Sequence, residues 1–165
     1  MKEEVNKMFE YNNTVNSDEL YHYGVLGMKW GVRRANKSYS NAADAKTKQK
    51  AKQDLEKHMT KATKKLNKLN RKVGKAEAKS RKAFAKLNKK AASRWASESD
   101  VAEARRKATR KQAKANVKIQ KASKWISRME KSFANTPIKM KQEQIDLGKQ
   151  YTKLLNERAE RRMAI

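Results

Sequence analysis

The chain has 165 residues, with 43 Lys and Arg against 17 Asp and Glu, for a formal net charge of +26. Only 37% of residues are hydrophobic and much of that share is alanine, which excludes a wide core of large aliphatic side chains and favours an elongated helical hairpin or coiled coil. There is no Cys, so disulfides, thiol nucleophiles and thiolate metal sites are excluded.

Residues 1–20 are polar and mildly acidic, with Glu3, Glu4, Glu10, Asp18 and Glu19 against Lys2 and Lys7. They read as a flexible arm. The start has no apolar run of signal-peptide length, and no segment reaches the roughly 18 apolar residues of a membrane span. The expectation is a soluble protein that is intracellular where it is made.

Residues 21–34, YHYGVLGMKWGVRR, differ from the rest: they hold three of the five glycines and one of the three tryptophans. Leu26, Met28, Trp30 and Val32 alternate with Gly27, Lys29, Gly31 and Arg33. Period two predicts an extended strand with one apolar face. The competing helix would place Gly24, Gly27 and Gly31 on one stripe at a cost of roughly 3 kcal/mol against alanine, so the extended form is preferred. A lone strand is unstable in water. It must dock on this chain's own helices, with Trp30 as anchor, or on a partner's edge or groove. Residues 35–41, ANKSYSN, read as a polar linker leading into a helix.

From 42 to 165 the chain reads as a basic helical region. A first helix over 42–92 carries a heptad seam of Leu55, Met59, Ala62, Leu66, Leu69, Val73, Ala76, Ser80, Ala83 and Leu87. Gly74 weakens it by about 1 kcal/mol relative to Ala. Asp100 and Glu103 have capping-box spacing, predicting a second helix over 100–135. Its seam is Val101, Ala104, Ala108, Ala115, Ile119, Ala122, Ile126, Met129 and Phe133. Thr136 as N-cap and Pro137 at the first position predict a third helix over 137–162. The third seam, Ile138, Ile145, Tyr151 or Thr152, Leu155 and Ala159, is looser, and Gly148 interrupts it. The fold class is therefore all-α: two to three helices after a mostly extended N-terminal segment. The seams close on each other or on further copies of the chain, so a homo-oligomer is one expectation.

The chemistry of an enzyme is missing. His22 and His58 lack ligand spacing, no carboxylate pair sits in an apolar setting that would raise a pKa, and no nucleophile elbow or zinc-protease motif is present. Gly31-Val32-Arg33 is not the Gly-Lys-Ser/Thr of a phosphate loop. No catalytic residue, cofactor or metal is expected. The charge demands polyanionic company. Candidate phosphate contacts on the first helix are Lys64, Lys65, Lys68, Arg71, Lys72 and Lys75, and on the second Arg105, Arg106, Lys107, Arg110 and Lys111. With no recognition motif, such binding is diffuse, sequence-independent and salt-sensitive. Trp95 and Trp125 lie at or beside seam positions, which predicts core packing for both. Alanine-rich faces argue against membrane association.

The segment HYGVLGMKWGVRR resembles a short motif, roughly H-x-G-[IV]-x-G-M-K-W-G-V-R-R, that recurs in head and virion structural proteins of tailed bacteriophages and prophages. The matching residues are His22, Gly24, Val25, Gly27, Met28, Lys29, Trp30, Gly31, Val32, Arg33 and Arg34, with Leu26 at the variable position. It covers about a tenth of the chain. The following ANKSYSN departs from the aromatic, glycine-containing turn that follows the motif in many of them. The resemblance implies a virion or head-assembly protein made in the bacterial host cytoplasm and docked by this motif to a phage head, portal or capsid protein. Trp30, with Leu26, Met28 and Val32, would anchor it. Gly24, Gly27 and Gly31 would permit close approach, and Lys29, Arg33 and Arg34 would supply charge. The basic helices would then meet packaged DNA or acidic capsid surfaces. Two alternatives are a histone-like nucleic-acid-binding protein and a transient capsid scaffolding protein.

Overall fold

The computed structural model describes the backbone of residues 27–163 and the side chains of 31–161. It is all-α: four helices, α1 (Gly27–Ser40), α2 (Ala45–Ala91), α3 (Glu98–Phe133) and α4 (Gln142–Met163). The chain divides into two compact units, 1–58 and 59–165, with the boundary inside α2.

In the first unit, Gly27 opens α1, so residues 27–34 are helical where the alternation predicts a strand, and 35–40 continue the helix instead of forming a linker. The predicted extended backbone of residues 21–26, and the arm before it, lie outside the described residues. The helix is less costly than the glycine count suggests. Gly27 sits at its first position, leaving Gly31 as the one interior glycine of α1, a penalty of about 1 kcal/mol. A Cβ on Gly31 would collide with the His58 imidazole on α2. The residue that weakens α1 is thus the one that lets a neighbouring side chain sit against its backbone. Val32, Ala35, Ala51 and Leu55 are buried. Asp44 caps α2 by accepting from the Thr47 backbone N–H at 2.8 Å, and Lys48 Nζ lies over the Tyr39 ring at 5.2 Å.

The second unit is a three-helix bundle. α2 is long because its sequence is rich in Lys and Ala and has no Pro. A Cβ on Gly74 would meet nothing within 4 Å. The predicted seams of α2 and α3 are buried or half-buried at every described position. Within the second unit they meet at Val73, Ile119 and Ala122. The α2–α4 bonds keep one register. Gln144 donates to Thr63 Oγ1, Tyr151 to Asn70 Oδ1 and Arg158 to Glu77, each pair 81 residues apart. Steps of seven on both helices mean that α2 and α4 run parallel with matched heptads. α3 runs antiparallel to α4: Asn116 meets Arg158, Ser123 meets Thr152, and a Cβ on Gly148 would come 2.8 Å from Ile126 Cγ2. Val73, Ile119 and Ala122 form a shared core with Leu69, Tyr151, Leu154 and Leu155 against it.

Two helix starts differ from expectation. Ser97, not Asp100, is the N-cap of α3: its hydroxyl accepts from the Asp100 N–H at 3.2 Å and donates to Asp100 Oδ2 at 2.8 Å. The box is therefore Ser97–Asp100, one step earlier than the Asp100–Glu103 reading. α4 begins at Gln142, five residues after the Thr136–Pro137 signal. Thr136 is buried and its hydroxyl serves the Phe133 and Ile138 carbonyls, at 3.0 and 2.8 Å. Its bonds close the end of α3, so it does not cap the next helix, and Ile138 falls in the connection. Ala159 of the expected third seam is exposed, and Leu154 and Arg158 face inward instead.

Candidate functional site

Two features stand apart from the packing: the motif helix in the first unit and a basic groove in the second. In α1, Val32 is 1% exposed and Gly31 abuts His58, while Arg33 and Arg34 are exposed. Gly27, Met28, Lys29 and Trp30 belong to the first turn of α1. His22, Gly24, Val25 and Leu26 lie outside the described residues.

The second feature follows from where α4 ends. With the 81-residue offset, Met163 stands level with Lys82. Beyond that level the described bundle consists of α2 and α3, joined through residues 92–97. Their facing sides there carry Ala83, Leu87, Val101, Ala104 and Ala108, with Ser80 just before that level. Alanine lets helices approach but fills little space. An open groove of about 790 Å³ runs along this two-helix stretch. From α2 it is lined by Lys79, Lys82, Lys86 and Lys90, each three or four residues from the next. From α3 it is lined by Lys107, Arg110, Lys111 and Lys114, with Glu103 as the one carboxylate among the lining residues.

That carboxylate does not cancel the field. Glu103 is ion-paired with Lys107 one turn on, and Asp100 with Lys90 at 3.1 Å. The Lys107 bond holds the Glu103 carboxyl below the usual range. Bonds from Ser97 first, then Lys90, do the same for Asp100. All of these side chains are solvent-facing, so the pairs contribute little to stability. At the end of the groove stands Trp95, 92% exposed. Its backbone N–H bonds Ser93 Oγ at 3.4 Å, within the α2–α3 connection. This corrects the expectation of core packing: the connection carries Trp95 past the last seam residue. Trp125 does pack, with its indole N–H donating to the Ala62 carbonyl at 3.2 Å and Lys65 Nζ over its ring at 3.8 Å.

The expected phosphate contacts divide. Lys107, Arg110 and Lys111 line the groove. Lys65 is engaged by Trp125, and Lys64, Lys68, Arg71, Lys72, Lys75, Arg105 and Arg106 are exposed away from the groove lining. Sequence reasoning missed Lys79, Lys82, Lys86, Lys90 and Lys114. The signal was present: these residues flank the alanine seam, where two helices add their charges across one gap. Among the described residues, no group of three His, Asp or Glu side chains has metal-site geometry, and no helix is long and apolar enough to cross a membrane.

A family of unknown function (DUF7211) matches residues 12–37, a stretch that contains the whole motif and most of α1 and none of the bundle. No curated protein and no solved structure matches the chain.

Proposed function

We propose that the chain is a non-enzymatic structural protein of a bacteriophage head or virion. The motif at 21–34 docks it to a head, portal or capsid component, and the basic bundle meets packaged DNA or acidic capsid surfaces. The observation that carries this reading is the run from His22 to Arg34, with its likeness to phage head proteins. The described part of that run supports it: α1 starts inside the motif, at Gly27, and leaves Arg33 and Arg34 exposed. A formal charge of +26 supports a polyanionic environment. The test is Trp30→Ala. Incorporation into particles is expected to be lost while the helical circular-dichroism signal stays intact, and normal incorporation refutes the docking role.

A second reading, a histone-like nucleic-acid-binding protein acting free of any particle, is favoured by the basic groove. It expects duplex binding that weakens steeply with salt and survives deletion of residues 21–34. Mass spectrometry of mature particles against empty precursors separates a resident protein from a scaffold that leaves.

A further inference from the structure

Trp95 is 92% exposed among the described residues. It lies in the α2–α3 connection, five residues after Lys90, where α2 ends a double row of groove-lining cations: Lys90, Lys86 and Lys82 on α2, Arg110 and Lys111 on α3. Lys79 to Lys90 spans about 16 Å at helical rise, roughly the length of five nucleotides at 3.4 Å each. An aromatic platform at the end of a cationic track is the combination that holds an unpaired strand: the backbone follows the charges and a base stacks on the ring. A base pair inside a duplex offers no free face to the indole. An anionic bilayer would call for a broad apolar face, and Trp95 is flanked by Ser93, Arg94, Ala96 and Ser97.

We propose that the groove between the distal parts of α2 and α3, together with Trp95, is a binding site for single-stranded nucleic acid without sequence preference. This rests on the polyanion-binding half of the proposed function and gives it a place and a strand preference. It is independent of the docking motif.

The test uses the full chain and labelled oligothymidylate of about 12 nucleotides, within the site sizes of single-strand binders, beside a duplex of equal phosphate count. Fluorescence anisotropy is read at about 0.15 M salt. Tighter binding of the single strand is expected. Trp95→Ala should weaken that binding by roughly 5- to 150-fold, the factor one stacked base supplies. It should leave duplex binding and helicity unchanged, and Trp95→Tyr should restore most of the loss. Lys86→Gln with Arg110→Gln should weaken both ligands and flatten the salt slope. If both ligands bind equally and Trp95→Ala changes neither, the site is overturned while charge-driven binding stands. If neither ligand binds, this site and the nucleic-acid reading both fall, and binding of phosphatidylserine vesicles in that case would assign the tip to a membrane surface.

Discussion

The two ends of the second unit use nearly the same vocabulary of lysine, alanine and leucine, yet one is a packed three-helix bundle and the other an open, charged pair. Around Val73, Ile119 and Ala122 the seams carry large residues, and α4 adds Tyr151, Leu154 and Leu155. There Arg158 forms a two-pronged bridge to Glu77 at 2.8 and 2.9 Å and a further bond to Asn116 at 2.7 Å, so one side chain ties all three helices. Both partners are 15% exposed. Towards Trp95 the seam runs through Ser80, Ala83, Leu87, Val101, Ala104 and Ala108, mostly small residues, and cations of both helices line the gap beside it. Where α4 packs, Leu69, Tyr151, Leu154 and Leu155 fill the space among three helices, and past its end cations line an open gap. The first region holds the fold, and the second leaves its cations at an open groove.

Substitutions at the two described tryptophans of the second unit should break this comparison most sharply. Trp125→Ala is expected to cost about 3–5 kcal/mol in chemical denaturation, because it empties a buried site and removes the indole bond to the Ala62 carbonyl. Trp95→Ala should stay within about 0.5 kcal/mol. Equal losses would show that the tip is packed. Next, Arg158→Ala should cost about 3 kcal/mol by leaving Glu77 buried without its counter-charge. Glu77→Ala on top of it should recover part of the loss, and a strictly additive double variant would contradict a direct bridge.

Glycines sharpen the contrast at smaller scale. Gly148→Ala pushes a methyl into Ile126 and should destabilise by about 1–3 kcal/mol. Gly74→Ala meets open space and should stabilise by about 0.5–1 kcal/mol. A matched response at both positions would mean that α4 does not seat against α3 as described. The smallest effect is on pH dependence. Burial first, and the Glu77 charge second, raise the Tyr151 phenol above its ordinary 10.0. The fold therefore favours the neutral phenol. Its contribution is complete below that ordinary value and is lost as pH rises through the higher folded value. Alkaline titration of stability above 10.0 should show this loss, and Tyr151→Phe should remove it along with the Asn70 bond.

Much of the architecture was legible because a heptad seam is a local pattern. Leu55 to Leu87 and Val101 to Phe133 are buried or half-buried as the spacing predicts. Helix starts were less so. Thr136 and Pro137 carry a strong local signal, but the Phe133 and Ile138 carbonyls needed the same hydroxyl. At the motif two periods overlap, and alternation of apolar residues could not reveal that His58 would occupy the space beside Gly31. The groove escaped because its cations are individually ordinary. They become a site only when residues 79–90 and 107–114 lie side by side.

The sequence alone thus determined an all-α, strongly basic chain with narrow seams and a compact glycine–tryptophan motif, since composition and periodicity need no knowledge of neighbours. The tertiary structure decided which seams earn a third helix, which tryptophan is core and which is bare, and that the motif's later half is helical. Those outcomes depend on what stands across each gap, and a linear pattern holds no information about its own opposite side.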